Sequence, residues 1–456
     1  MGLVLSILYI LTYYLTPETI FGDLAVYRVE LILAVLLFVV SLPALARSAV
    51  GKTPQSIAVI GLAVAAFMSF VVGQHWPGGG VTALLLFIPN VFAYFLICAH
   101  FSSVTRVKLI VLTMLFVCLF VIGHGAAELY RGLPVGRAAD DLNLNSSYFL
   151  GMSNNARQWF YRLKGHGQIN DPNDFAQLIV CVLPLIFAFW RSKSFVRNFF
   201  VVLVPAGILI WGMYLTHSRG AILALLAIVI MAVRKKIGLI PGLLLAAVLF
   251  AAVSATNFSG GRDISTSAGA DRTALWGDGL ELLKAHPIFG VGFGLMPDYV
   301  SQTAHNSIVV CAAELGLFGL FFWSMFLVPS VRDAFVIASP GEAKELPPWE
   351  TEKGTPYSVA TAKTNGPDPA EIKKLGQLLL LSFTGFLVSG YFLSRAYVMT
   401  LFLLGGMTEV VFEMALKRGM ISPRLPFGRL LRYSGVMTLS LVLFIYIMLR
   451  IINIVH

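Results

Sequence analysis

The chain has 456 residues, of which 57% are apolar and only 12% are charged. Soluble domains are about 45–50% apolar and about 25% charged, so this composition excludes a soluble enzyme, a disordered protein and a coiled coil. The mean hydropathy of +0.81 is that of a polytopic membrane protein. The formal net charge is +10, and no nucleic-acid-binding motif accompanies it. We therefore expect basic loops and an anionic ligand, and no nucleic acid partner.

Apolar runs recur along the chain with short polar breaks. Because the backbone must satisfy its hydrogen bonds internally in lipid, the runs predict an all-α polytopic transmembrane helical bundle of about 12–13 spans, and strands are not expected. In chain order the predicted spans are 2–15, 24–45, 57–73, 81–98, 107–123, 174–190, 196–215, 220–233, 237–253, 306–329, 376–393, 396–415 and 434–455. The two shortest, 2–15 and 220–233, have only 14 residues each, well below the roughly 20 residues that a straight span needs.

Most lysines and arginines lie in alternate connections between these runs. The basic connections are 47–52, 106–108, 191–197, 234–236, 330–375 and 417–432. The positive-inside rule places them in the cytoplasm and places the long loops 124–173 and 254–305 in the periplasm of a bacterium. Residues 1–456 then form a single integral membrane domain. The proline-containing, mixed-charge segment 330–375 predicts a flexible cytoplasmic loop.

A lone arginine, Arg219, follows His217 and Ser218 in a very short connection on the predicted periplasmic side. An arginine there runs against the positive-inside trend. It either snorkels to lipid phosphates or provides a fixed cation for a bound phosphate, because its planar guanidinium donates two hydrogen bonds to phosphate oxygens.

A second arginine, Arg272, follows Asp271 in the loop 254–305. Apolar residues then recur at helical spacing, at Leu275, Trp276, Leu280 and Leu283. This pattern predicts a short amphipathic helix on the membrane surface, which Asp271 would cap and His286-Pro287 would end. Arg272 would lie in its first turn, where the helix N-terminus also attracts anions. The alternative is an exposed surface arginine.

The start of the span 306–329 carries His305 and Asn306. A histidine at a helix entrance either titrates near neutral pH and acts as a base or is a hydrogen-bonded interfacial residue. Glu314 lies inside the span, where a carboxylate is costly unless it is paired. We expect an arginine or histidine partner in a structural or a catalytic pair. The glycine-rich segment 290–294 lacks the strand and lysine of a nucleotide loop and predicts a close-packed turn.

The loop 124–173 ends in Asn170-Asp171-Pro172-Asn173-Asp174. Aspartate and asparagine often cap helices, and capping is the preferred interpretation of Asp174. The alternative is that Asp171 and Asp174 bind a sugar or a cation. We assign no metal.

In their order along the chain, these motifs resemble the O-antigen ligase and polymerase superfamily. The resemblance covers about 165–330 and rests on Ser218-Arg219-Gly220, Arg272 with Trp276, Pro287 to Gly294, Ala304-His305-Asn306, and Ala313-Glu314-Leu315-Gly316. It implies an inverting, metal-independent membrane glycosyltransferase of GT-C-like architecture without a cofactor. Such an enzyme moves a glycan from undecaprenyl pyrophosphate to an acceptor sugar hydroxyl at the periplasmic face of the inner membrane.

The resemblance also implies roles for individual residues. Arg219 and Arg272 would hold the pyrophosphate, and His305 would act near the acceptor hydroxyl, so these three form the predicted catalytic set. The predicted substrate-binding set adds His217, Trp276, Asn306, Glu314, Asp171 and Asp174 to the two arginines.

Segment 170–176 resembles exopolysaccharide or O-antigen polymerases more than ligases. An O-antigen ligase that transfers the glycan to lipid A core is the alternative, and a polysaccharide transporter or flippase, which would show inverted repeats, is a remote one. The expected partners are the lipid-linked glycan donor, a glycan or lipid A core acceptor, and membrane lipids.

Overall fold

The structure, a computed structural model, describes residues 1–20, 27–47, 52–130, 144–150, 157–255, 266–300, 302–340 and 367–455. The helices of its first half are α1 (Gly2–Leu15), α2 (Pro17–Ile20), α3 (Val29–Arg47), α4 (Pro54–Val71), α5 (Pro77–His100), α6 (Val104–Tyr130), α7 (Pro172–Leu185), α8 (Phe195–Asn198) and α9 (Val204–Thr216). Short 3-10 turns occupy Gly167–Ile169 and Ile186–Phe189, and a π-helical turn, Phe199–Leu203, joins α8 to α9.

The helices of the second half are α10 (Arg219–Ile237), α11 (Leu239–Ala255), α12 (Thr266–Ala285), α13 (Met296–Tyr299), α14 (Ser307–Ala338), α15 (Pro369–Gly390), α16 (Met399–Lys417) and α17 (Phe427–Val455). Within the described residues, ten helices are long and apolar enough to cross a membrane. Shorter apolar helices occupy Gly2–Leu15 and Ile240–Ala252. Each predicted run overlaps a helix, and the prediction of an all-α polytopic bundle is confirmed.

The helices differ in how much of their surface the bundle covers. In the most apolar stretch of α16, 89% of the residues are buried, whereas only 11% and 17% are buried in the corresponding stretches of α3 and α17. α16 is therefore a central helix, and α3 and α17 turn apolar side chains outward, as expected for helices that contact lipid. The predicted flexible loop 330–375 falls partly on α14 and α15, and its residues 341–366 lie outside the described residues.

A β-hairpin lies in the loop between α6 and α7. Strands β1 (Leu144–Leu150) and β2 (Arg157–Leu163) pair antiparallel, with Leu144 opposite Leu163. The expectation that strands are absent is wrong for this loop. The expectation rested on the cost of an unpaired backbone in lipid, and the hairpin lies outside the apolar runs to which that argument applies.

Helix α12 also differs from its prediction. It begins at Thr266, so Asp271 lies inside it and is not its cap, and Arg272 lies in its second turn. It ends at Ala285, directly before His286-Pro287, as predicted. Its apolar residues Trp276, Leu280 and Leu283 are buried in the core. α12 therefore packs into the bundle through the face that was expected to lie on the membrane.

Helix α14 is broken at Gly316, whose φ of 64° is left-handed. The break frees backbone groups that the segment 287–292 satisfies. The N–H groups of Val291 and Gly292 donate to the carbonyls of Ala313 and Glu314, at 2.9 and 3.1 Å. In return, the N–H groups of residues 317 and 318 donate to the carbonyls of residues 287 and 288. A buried broken helix thus keeps its backbone paired.

Two glycines allow this close backbone contact. A Cβ on Gly290, whose φ is 69°, would lie 2.3 Å from the Glu314 carbonyl carbon. A Cβ on Gly316 would lie 2.4 Å from the backbone of Ile288. The prediction that the glycine-rich segment forms a close-packed turn is confirmed. This turn forms hydrogen bonds with the backbone groups at the break in α14.

Candidate functional site

Several helix ends meet at one face of the bundle. We call this end the site face and define it by Asp171, Arg219, Arg272, His305 and Arg395. Helix α9 ends there, and α7, α10, α14 and α16 begin there. The predicted site residues come from distant parts of the chain, and the packing of these helices brings them to this end.

Arg219 is the first residue of α10 and follows a tight turn. His217 takes a left-handed conformation (φ 49°) at the end of α9, and extended Ser218 precedes the new helix. The Ser218 N–H donates to the Thr216 hydroxyl at 3.3 Å. His217 lies beside Tyr214, with 5.6 Å between ring centres. The turn therefore fixes where Arg219 leaves the backbone at the site face.

Three guanidinium groups converge at this face. Partial burial and the nearby charge of Arg219 lower the pKa of Arg272. Burial and Arg219 also lower the pKa of Arg162, while Asp171 opposes this shift. Positive charges that lower each other's pKa in this way also attract a multiply charged anion. The two predicted arginines are thus brought together, and a third joins them.

Arg162 was missed by the sequence analysis. It lies on β2, and its Nε donates to the Thr216 carbonyl at 2.9 Å, while its Nη2 donates to Asn173 Oδ1 at 3.0 Å. It thus ties the hairpin to the turn before Arg219 and to the start of α7. No sequence signal distinguished Arg162, because the same loop carries Arg131, Arg137 and Arg157 and the positive-inside rule applies to short loops.

His305 is held in a left-handed conformation with φ 49°. For a residue with a side chain this costs about 1–2 kcal/mol. Two hydrogen bonds hold it there: the His305 N–H donates to Ser394 Oγ at 2.8 Å, and the Trp276 indole donates to the Ala304 carbonyl at 2.8 Å. Such strain is retained where the surrounding structure over-determines it, often at functional sites.

Electrostatics favour the neutral form of His305. Burial and the charge of Arg272 lower the pKa of His305, and Asp171 opposes them. A neutral imidazole has one nitrogen that can accept a proton. The group can therefore serve as a base at neutral pH.

Trp276 and Asn306 support the backbone around His305. Trp276 is 5% exposed, and its ring meets Tyr391 edge to face at 5.4 Å. Asn306 is the N-cap of α14, and its Oδ1 accepts from the N–H groups of Ile308 and Val309. Both were predicted to bind substrate. The structure places them as positioning residues next to the histidine.

The helix cap predicted for Asp174 is provided by Asp171. Asp171 is the N-cap of α7, and its carboxylate accepts from the Asn173 N–H at 2.7 Å. Pro172 occupies the first helical position, where its missing N–H costs nothing, so the cap must precede it. Capping by Asp174 is therefore wrong. Asp174 is 6% exposed and forms an ion pair with Arg395.

Arg395 is a further site residue that sequence reasoning missed. It lies between α15 and α16, and its side chain is 37% exposed. Burial lowers the pKa of Arg395, but the negative charges of Asp174 and Asp171 outweigh this effect, so the pKa is raised overall. The available signal was the one noticed at Arg219, a lone arginine in a short connection on the side away from the basic loops.

Glu314 lies deeper, at 4% exposed. The backbone amides of Gly294 and Met296 face its carboxylate. Among the described residues it forms no ion pair, so the expected arginine or histidine partner is wrong. The glycine turn and the start of α13 supply the amides, and Glu314 thereby fastens this turn to α14.

Residues 204–324 match the family model described as O-antigen ligase. The predicted resemblance to the O-antigen ligase and polymerase superfamily is confirmed over this segment. No curated relative matches the chain. The chain is thus a multi-pass membrane protein that contains a segment similar to O-antigen ligases.

The segment that matches the O-antigen ligases supplies Arg219, Arg272 and His305. Arg162 and the pair of Asp174 and Arg395 lie outside it. The site face therefore combines the ligase-like segment with residues from both flanking parts of the chain.

Proposed function

We propose that the protein is an inverting glycosyltransferase that moves a glycan from undecaprenyl pyrophosphate to an acceptor sugar hydroxyl, as an exopolysaccharide or O-antigen polymerase. The observation that carries the proposal is the convergence of Arg219, Arg272 and Arg162 beside a neutral His305. A diphosphate is the anion that suits several guanidinium groups at once, because each can donate two parallel hydrogen bonds to it.

The reaction proceeds by direct displacement at the anomeric carbon. The bond from this carbon to the diphosphate oxygen breaks, and its electron pair stays on the diphosphate. The acceptor hydroxyl oxygen forms the new bond from the opposite side, which inverts the configuration, and its proton passes to the His305 imidazole. Arg219 and Arg272 stabilise the charge that develops on the leaving diphosphate, and the histidine contributes as general base.

The proposed orientation places the site face in the periplasm of a bacterial inner membrane. The described basic connections 106–108, 191–197, 234–236 and 417–432 lie at the other end of the helices, where the positive-inside rule puts the cytoplasm. The apolar outer surfaces of helices such as α3 and α17 provide the lipid contact that a polyprenyl chain needs.

Two observations bear on the acceptor. Segment 170–176 resembles polymerases, which supports a second lipid-linked glycan as acceptor. The family match is described as O-antigen ligase, which supports lipid A core as the alternative acceptor. The site residues meet at one end of the helices, which favours an enzyme over a transporter or flippase with charges near the midplane.

The deciding experiment reconstitutes the purified protein with lipid-linked glycan and offers lipid A core and a second lipid-linked glycan as rival acceptors. Arg219→Ala and Arg272→Ala should each lower transfer by roughly 10²–10³-fold, the cost of one donor to a developing oxyanion. Arg191→Ala, an exposed arginine in a basic connection, is the matched control and should transfer normally. Normal transfer by both site variants would reject the diphosphate clamp.

A further inference from the structure

The ion pair of Asp174 and Arg395 lines a cavity of about 200 Å³. Its walls come from α1, α5, α7 and α16 and from the two connections at 293 and 394–398. Aromatic rings line it at Tyr13, Tyr14, Phe293 and Tyr397, and polar side chains line it at Asn90, Asp174, Gln177 and Thr400. Rings and hydrogen-bonding groups thus face the same small space.

The side chain of Asn90 in this wall leaves one of its polar atoms without a hydrogen-bond partner within the described part of the chain. Asn90 is 4% exposed, and its Nδ2 donates to the Tyr397 carbonyl at 2.8 Å. Its Oδ1 is buried and has no hydrogen-bond partner among the described residues. An unmet acceptor inside a membrane bundle is costly and marks a functional position. It indicates a ligand that brings a hydrogen-bond donor into the cavity.

Two further groups extend this polar wall. Gln177 lies on α7, three residues after Asp174 and therefore on the same helix face, and it is 2% exposed. The Asp174 carboxylate accepts hydrogen bonds only, when ionised. The cavity therefore offers several acceptors and an amide, opposite aromatic faces.

We propose that this cavity binds one sugar ring of the glycan, an inference that rests on the proposed glycosyltransferase function. A sugar hydroxyl supplies the donor that Asn90 Oδ1 lacks, other hydroxyls can donate to the remaining acceptor positions of the Asp174 carboxylate, and the apolar face of the ring packs on the aromatic side chains. The volume suits a single ring, since pockets for larger drug-sized ligands span about 300–1,000 Å³.

The cavity adjoins the proposed base. Ser394 lines the cavity, and its hydroxyl also accepts the N–H of His305. Arg395 lines it as well and senses the charge of Asp171, which also acts on Arg162 and His305. A ring in the cavity would therefore lie next to the backbone that holds His305. It belongs either to the donor, next to the diphosphate, or to the acceptor.

The test measures binding to the full-length protein in detergent with three probes: undecaprenyl pyrophosphate, the lipid-linked glycan extracted from native membranes, and that glycan freed from its lipid by mild acid. The variants are the near-isosteric Asn90→Leu and Gln177→Met, on different helices. Ser324→Ala is the control, because Ser324 is equally buried but does not line the cavity. Melting temperatures identify any variant that fails to fold. One folded cavity variant is enough for the binding test.

We expect about tenfold weaker binding of lipid-linked glycan by the cavity variants, the loss of roughly one hydrogen bond to a buried group, and unchanged binding of undecaprenyl pyrophosphate. If the cavity variants bind only the lipid-linked glycan more weakly, the cavity is assigned to the donor sugar. If the variants also bind the freed glycan more weakly, the cavity is assigned to the acceptor sugar. Wild-type binding of both glycans by folded variants overturns the inference alone, whereas failure of the wild type to bind undecaprenyl pyrophosphate overturns the proposed function.

Discussion

The Trp276 indole N–H donates to the carbonyl of Ala304, 2.8 Å away, in the residue directly before His305. Trp323 repeats this contact elsewhere in the bundle, donating at 3.0 Å to the carbonyl of Ala396, directly after Arg395. In both cases a buried indole on a packed helix fixes the backbone beside a charged or titratable residue. The proposed base and the arginine that pairs with Asp174 are thus positioned by rigid rings on packed helices.

Removing one of these contacts should impair turnover. Trp276→Phe loses the indole N–H but keeps an aromatic ring against Tyr391. We expect about a tenfold fall in kcat, because the left-handed His305 loses one of the two hydrogen bonds that hold it. The KM for donor should change little. Steady-state transfer assays test this, with the outward-facing Trp211→Phe as control; an unchanged kcat would assign Trp276 to packing alone.

The pH dependence of transfer should report His305. Its pKa lies below the ordinary value of about 6.5 because of burial and Arg272, and only the neutral ring accepts a proton. We therefore expect kcat/KM to rise with pH through a midpoint below 6.5 and then stay level. The midpoint for kcat should be higher, since bound diphosphate favours the charged ring.

His305→Ala is the companion variant. It should lower the rate by about 10²–10⁴-fold, the usual contribution of a general base, and should abolish the acidic limb of the profile. A variant that keeps near-wild-type turnover, or one that keeps the same limb, would remove His305 from the mechanism.

The pair of Asp174 and Arg395 should show strong coupling. Arg395→Met leaves the buried Asp174 carboxylate unpaired, at a cost of about 3 kcal/mol or more. The double variant Arg395→Met/Asp174→Leu should be more stable than Arg395→Met, because no lone charge remains. Melting temperatures in detergent complete the cycle. Additive effects of the single variants would show that the ion pair contributes nothing to folding.

The seal on the broken helix should not tolerate a side chain. In Gly290→Ala the new Cβ would lie 2.3 Å from the Glu314 backbone at a left-handed φ, so we expect a fall in melting temperature corresponding to at least about 2 kcal/mol. Gly207→Ala is the matched control, since nothing lies within 4 Å of its Cβ and α9 is helical there. An equally stable Gly290→Ala would contradict the backbone interlock.

Transfer should survive chelation by EDTA. Guanidinium groups supply the positive charge for the diphosphate, and the nearest carboxylates are engaged, Asp171 as a helix cap and Asp174 with Arg395. Transfer is measured with and without EDTA, beside a glycosyltransferase known to require a metal. Loss of transfer that Mg²⁺ restores would instead place a cation at these two aspartates.

The sequence by itself determined the membrane bundle and three of the residues at its site face. Apolar runs of about twenty residues are a local property, and a span forms wherever one occurs. Arg219, Arg272 and His305 stood out because charged or titratable groups are rare in such a chain outside its basic loops. Their order along the chain carried the family resemblance, which the match over 204–324 confirms.

Only the tertiary structure decided the partners of these residues. Arg395 pairs with Asp174 from a distant part of the chain, and Arg162 on the hairpin donates to the carbonyl of Thr216. Neither contact leaves a local pattern, because an ion pair between distant segments depends on how helices pack and not on sequence spacing. The backbone amides that face the Glu314 carboxylate also depend on the tertiary packing. Their positions exist only once the glycine turn has closed against the broken helix.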